Sequence, residues 1–180
     1  MTISFSSMRR PAILLLTLAL ASAGCQRRKR VNVETVEETP VLASVVATAD
    51  PHAAAQLIGG FYGVEQNSWR WTSGRFSVLL RPPRSAAAKG ALLQLKFSVP
   101  DVSISKLKGV SLSASVNGTA LAPESYTQAG QFTYSRDVPP NLLAGDAVRV
   151  DFSLDKTIPP GASDRRELGV VVSLVGFQPK

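Results

Sequence analysis

The sequence predicts an all-β protein: a single antiparallel β-sandwich of the jelly-roll kind over residues 57–180, behind an export signal (1–24) and a tether (25–56). Three observations predict it. Apolar and polar residues alternate with period two in several separate runs, the mark of strands with one wet face and one face on a core. An Asn-Gly pair sits just after one such run, where a tight hairpin turn needs positive φ at both central residues. No stretch of ten or more residues carries an amphipathic helical period, and SAAAKGALL is short and broken by Gly90.

In chain order, the N-terminus reads MTISFSSMRRPAILLLTLALASAGC. Arg9 and Arg10 form a charged start, and Ala12 to Ala21 is an apolar run about half the ~20 residues a membrane span requires. Small residues follow at 21–24, so the segment reads as a secretory signal outside the fold. Met8 offers a second start, because MRRPAILLL is a compact signal by itself.

Cys25 is the only cysteine, and it follows Ala23-Gly24 at the end of the apolar run. This arrangement resembles the lipobox of bacterial lipoproteins, with Ser22 where that family prefers leucine. The resemblance implies that Cys25 is acylated and becomes the new N-terminus, tying the protein to a membrane by more than one chain, as stable anchoring requires. Gln26 is not the aspartate that retains such proteins at the inner membrane, so the resemblance points to the outer membrane of a bacterial envelope. Ala21-Ser22-Ala23 also satisfies an ordinary secretory cleavage site, which would leave the protein simply secreted. With Cys25 lipidated no disulfide can form, and stability must come from the core.

The net charge of +7 suggests nucleic acid at first sight, but its distribution does not. Six of the twenty basic residues lie before Val31; beyond it, fourteen basic residues face thirteen acidic ones. Arg27, Arg28, Lys29 and Arg30 read either as a patch against anionic headgroups, at about 1 kcal/mol per charge, or as a solvated tether. Residues 31–56 hold no aromatic and no sustained period, so they read as a tether, extended or partly ordered, with a short strand at Val41–Ala47 as an open alternative. His52, the only histidine, falls in this segment and is assigned no role.

The strand signals then follow. Phe76, Val78 and Leu80 alternate in RFSVLLR, and Leu93, Leu95, Phe97 and Val99 in LLQLKFSV. Val110, Leu112, Ala114 and Val116 alternate with serines, and Val148, Val150, Phe152 and Leu154 with Arg149, Asp151, Ser153 and Asp155. LGVVVSLVGF, from Leu168 to Phe177, is apolar on both faces, as in a central strand. Pro82-Pro83, Pro100-Asp101, Pro139-Pro140 and Pro159-Pro160 punctuate the runs.

One stretch stands apart: GFYGVEQNSWRWTSG, from Gly60 to Gly74, with both tryptophans. Phe61, Tyr62, Glu65, Trp69-Arg70-Trp71-Thr72, Val116-Asn117-Gly118 and Arg166-Glu167-Leu168-Gly169 together are similar to the galactose-binding-like jelly roll, over about Leu57 to Phe177. That resemblance implies a carbohydrate-binding-type domain, while the calcium loop of many such domains has no counterpart here.

Two readings of the stretch stand. Trp69, Trp71 or Tyr62 stacks on sugar faces while Glu65 and Arg70 bond hydroxyls; or the tryptophans fill the core and Arg70 pairs with Glu65 or Glu167. Trp69 and Trp71 share one strand face with Arg70 on the other, and Arg166-Glu167 joins the site or forms only an ion pair. Catalysis is not expected: a nucleophile–base set would need His52 or Cys25, and neither a metal nor a cofactor is expected. The expected partners are a membrane through Cys25, and a glycan or, alternatively, another envelope protein docked on a sheet face or edge.

Replacing Cys25 with Ser is expected to release the protein from the membrane fraction and to remove the mass of the acyl chains. A variant that stays membrane-bound with unaltered mass would exclude lipidation at this position.

Overall fold

The computed structural model describes residues 41–180, so the signal, Cys25, the basic run after it and the first part of the tether lie outside the described residues. Ten antiparallel strands account for about half of what is described. They are β1 (Val45–Ala47), β2 (Gly59–Glu65), β3 (Trp69–Leu80), β4 (Ala91–Val99), β5 (Val110–Val116), β6 (Thr119–Ala120), β7 (Glu124–Tyr126), β8 (Gly130–Val138), β9 (Val148–Leu154) and β10 (Val171–Pro179). The two helices are short, α1 (Ala86–Lys89) and α2 (Asp101–Leu107), in keeping with a sequence that shows no long helical period.

The strand order β6-β5-β9-β3-β10-β4-β8 describes one sheet curled into two layers. Strand β3 belongs to both. Its first residues pair with β10 (Trp71 opposite Val171, Arg70 opposite Val172), and its last six pair with β9 from Arg75 to Leu80. β10, β4 and β8 continue one layer; β9, β5 and the short β6 and β7 continue the other. Where β3 passes between layers it must come close to the chain that precedes β10. A Cβ on Gly74 would lie 2.9 Å from the Glu167 carboxylate, and one on Gly169 would lie 2.7 Å from the Ser73 carbonyl. The crossing therefore depends on two positions without side chains.

The alternating runs all face inward as their period demands. Phe76, Val78, Leu80, Leu93, Leu95, Phe97, Val110, Leu112, Val116, Val148, Val150 and Phe152 are buried. Aromatic pairs reinforce the core: Phe76 stacks at 5.0 Å on Phe152, its cross-strand neighbour within one layer, while Tyr126 of β7 meets Phe97 of β4 edge-on at 5.0 Å across the two. The Asn117-Gly118 turn forms as the sequence predicts, with φ of 48° and 85° and Val116 opposite Thr119. A second turn of this kind joins β2 to β3 at Gln66-Asn67, with φ of 49° and 52° and a Ser68 N–H···O=C Glu65 bond of 3.1 Å.

The boundary at residue 57 requires correction, because residues 45–56 are part of the domain rather than tether. β1 pairs with β10 (Val45 opposite Gly176, Ala47 opposite Leu174), and Val46 is fully buried. Asp50 caps the following 3₁₀ turn, Pro51–Gln56, by accepting the His52 N–H at 2.8 Å. Gln56 is buried and spends its amide on backbone: Nε2 donates to Ala43 O at 3.0 Å and Leu79 O at 2.7 Å, and Oε1 accepts the Ala43 N–H at 2.9 Å. Three residues of strand and one buried glutamine make too brief a pattern to register as a period.

A chain beginning at Leu57 is expected to lose about 3–5 kcal/mol relative to one beginning at Glu38, from the burial of Val46 and the Gln56 hydrogen bonds. For a domain of this size that is roughly 10–20 °C in melting temperature. Circular dichroism melts of the two chains check this, and equal melting temperatures would return residues 41–56 to the tether.

Candidate functional site

Phe76, Val78 and Leu80 of β3 point into the core, so by period two Thr72 and Arg70 point the same way and Trp69 and Trp71 point out. The tryptophans are half-buried on the outer face, so of the two readings the one that fills the core with them does not describe this strand. Arg70, expected to meet a carboxylate, is half-buried and donates to two backbone carbonyls: Nε to Thr48 O at 2.6 Å and Nη1 to Tyr62 O at 2.8 Å. Among the described residues it has no ion pair with Glu65, Glu167 or any other acid. It ties β2 to the segment that follows β1.

The arginine that meets the carboxylates is Arg166. Its Nη1 lies 2.8 Å from Glu65 Oε1 and its Nη2 lies 2.9 Å from Asp164 Oδ2. Its guanidinium carbon lies 5.2 Å from the centre of the Tyr62 ring, a cation–π distance. The Tyr62 hydroxyl donates to the Glu167 carbonyl at 2.8 Å, and the Glu167 carboxylate accepts from Thr157 Oγ1 at 2.8 Å. Hydrogen bonds to Asp164 and then to Glu65 hold the Arg166 guanidinium above its ordinary pKa, and the Arg166 bonds hold the Asp164 carboxyl below its own. Tyr62, Glu65, Arg166 and Glu167 are thus brought together as the sequence suggests, with Arg166 in the place given to Arg70. The cluster clamps β2 to the loop before β10, and its donors and acceptors are largely engaged with one another.

The tryptophans open onto a different surface. Trp71, Val171, Ser98 and Gln131 form one cross-strand row over β3, β10, β4 and β8, and Lys96 and Thr133 begin the next. The register of β10 slips between Val172 and Leu174, and there the outer face sinks into a groove of about 490 Å³. Trp69 and Val171 give it apolar surface, with Phe97 and Phe132 also in its lining; Ser68, Ser98, Ser173, Thr133 and Gln131 give it hydroxyls and an amide; Lys96 gives it a cation. The Ser173 hydroxyl donates to the Lys96 carbonyl at 3.3 Å across the strand pair.

Aromatic surface beside several neutral donors and acceptors suits a ligand with apolar faces and polar edges. Lys96, Ser98, Gln131, Thr133 and Ser173 were not legible as site residues. In sequence they are only the polar half of alternating strands, and pairing alone collects them. A larger cleft, about 870 Å³, is lined by Pro82, Pro83, Pro140, Arg81 and Arg84 among others, with no aromatic ring. Among the described residues no group of three or more His, Cys, Asp or Glu side chains could hold a metal ion.

No family model matches the chain, and no curated protein matches it. Solved structures similar to it include the CBM36-1 domain of a multidomain xylanase from the hindgut metagenome of Trinervitermes trinervoides, at 12% identity and a TM-score of 0.44. That alignment covers 76% of this chain and 96% of that one. An acetyl xylan esterase from Butyrivibrio proteoclasticus is similar at 11% identity and a TM-score of 0.44, over 77% of this chain and 34% of that one. The CBM51-2 and INT domain structure of Clostridium perfringens ZmpB is similar at 12% identity and a TM-score of 0.36, over 76% of this chain and 28% of that one. The chain thus spans about a third of the esterase and less of ZmpB. What the groove can hold follows from its own side chains.

Replacing Arg70 with Ala is expected to destabilise the domain by about 1–3 kcal/mol, because the Thr48 and Tyr62 carbonyls lose their charged donor. Urea denaturation measures it; a variant as stable as the parent would show that these two bonds contribute nothing net.

Proposed function

We propose that this chain is a lipid-anchored lipoprotein of the bacterial cell envelope, held at the outer membrane through Cys25, whose β-sandwich binds glycans without catalysis. The observation that carries the binding half is the groove beside Trp69 on the outer face of β10, β4 and β8. A pyranose presents C–H faces that an aromatic ring attracts and hydroxyl edges that Ser, Thr and Gln side chains satisfy. The strands beneath are fixed by a packed core, so the groove is formed before ligand arrives and little ordering is lost on binding. The anchoring half is carried by the sole cysteine and its place after the apolar run.

The competing reading, a structural lipoprotein that docks another envelope protein through a sheet face or edge, finds less support at the edge. β8 ends its layer, and Arg136 already caps that edge: Nε donates to Ala122 O at 2.8 Å, Nη2 to Pro123 O at 3.0 Å, and Nη1 lies 2.9 Å from Glu124. Charge and covering chain at an edge oppose strand addition.

In affinity electrophoresis of the full-length protein through immobilised polysaccharides, Trp69→Ala is expected to lose retention about two- to tenfold, from the range for aromatic contacts, with an unchanged melting temperature. Retention of Trp69→Ala equal to wild type, or a wild-type protein retained on no glycan, would remove the glycan reading.

A further inference from the structure

We propose that the Trp69 groove selects acidic glycans, polymers bearing carboxylate or phosphate, through the ammonium group of Lys96; this deepens the glycan-binding reading above and rests on it. Lys96 is the one charged side chain among the groove residues. It is exposed, and among the described residues it has no ion pair. Its neighbours in the register give it no counter-charge: Thr133 lies opposite on β8 and Leu174 on β10. Of the acids on this outer face, Glu65, the cross-strand partner of Trp69, is held by Arg166 at 2.8 Å, and Asp137, four residues along β8 from Thr133, is held by Lys180 at 2.7 Å.

A sugar stacked on Trp69 therefore meets neutral hydroxyls and an amide across the groove, and one free cation. Carboxylate or phosphate on that sugar would gain a charge-assisted bond from Lys96. A neutral sugar gains only an ordinary hydrogen bond there. The domain beyond Val31 is close to neutral, with fourteen basic and thirteen acidic residues, so preference for an acid arises locally at Lys96 rather than from a general field.

The test uses full-length protein and matched polysaccharides. Uronic-acid polymers are run beside their carboxyl-reduced forms, and a phosphorylated mannan beside its dephosphorylated form, at low and high salt. Wild type should hold the acidic member of at least one pair more tightly, by up to about fivefold, the range for an exposed ion pair, and salt should narrow the gap. Which pair shows the gap separates carboxylate from phosphate. Lys96→Gln should erase the difference between the members of a pair, and Lys96→Arg should restore it. Equal retention of both members of every pair, or a preference that survives Lys96→Gln, overturns this inference and leaves the Trp69 reading standing. Retention of no polysaccharide of either kind overturns both.

Discussion

Everything on the outer face of this domain depends on the parity of one strand. β3 runs twelve residues through two layers, and its second half is pinned by Phe76, stacked 5.0 Å from Phe152 in the core. Because side chains alternate strictly along a strand, burying Phe76 also turns Arg70 inward and Trp69 and Trp71 outward. A slip of one residue would put both indoles in the core and Phe76, Val78 and Leu80 in water. Three large side chains of the core oppose that slip, at about 1.5–3 kcal/mol each. The tryptophans face outward by a decision taken five and seven residues away.

That decision creates a local cost, which the structure meets with backbone. An inward guanidinium would be expensive without partners. Arg70 finds them in the carbonyls of Thr48 and Tyr62, at the point where the sheet makes room for the segment after β1. The Arg166 cluster works differently. It sits at the surface, where ion pairs contribute little to stability. Its role is positional: through Glu65 and Tyr62 it holds β2 against the loop that enters β10, beside the ring of Trp69. The two arginines thus brace β2 from opposite sides, one by carbonyls and one by carboxylates.

The groove itself comes from an irregularity. Between Val172 and Leu174 the register of β10 against β4 shifts, and polar side chains of β4, β8 and β10 line the groove beside it. A β-bulge at a strand junction re-aims side chains without loosening the strands that carry them. Rigid walls with a polar lining and one aromatic rim are what a site for a stiff, hydroxylated ligand requires. Lys96 gains its freedom from the same geometry, since its cross-strand neighbours are neutral.

The all-β class, the main strands, the Asn117-Gly118 turn and the inward sets around Phe97, Leu112 and Val150 are written in the sequence itself. Each is encoded locally, by a period of two or by a dipeptide whose backbone preference selects a turn. The outward Trp69 was also there to be read, by extending the alternation from Phe76 back to Arg70; the two indoles drew attention as core material because they are large. Three other features were not written there. Arg166 rather than Arg70 meets Glu65, 101 residues away in sequence; β1 closes on β10 across a similar span; and Ser98, Gln131, Lys96 and Val171 meet around one groove. Those depend on which strands become neighbours and in what register, and pairing between distant segments is set by the packing of the whole core, which no local pattern contains.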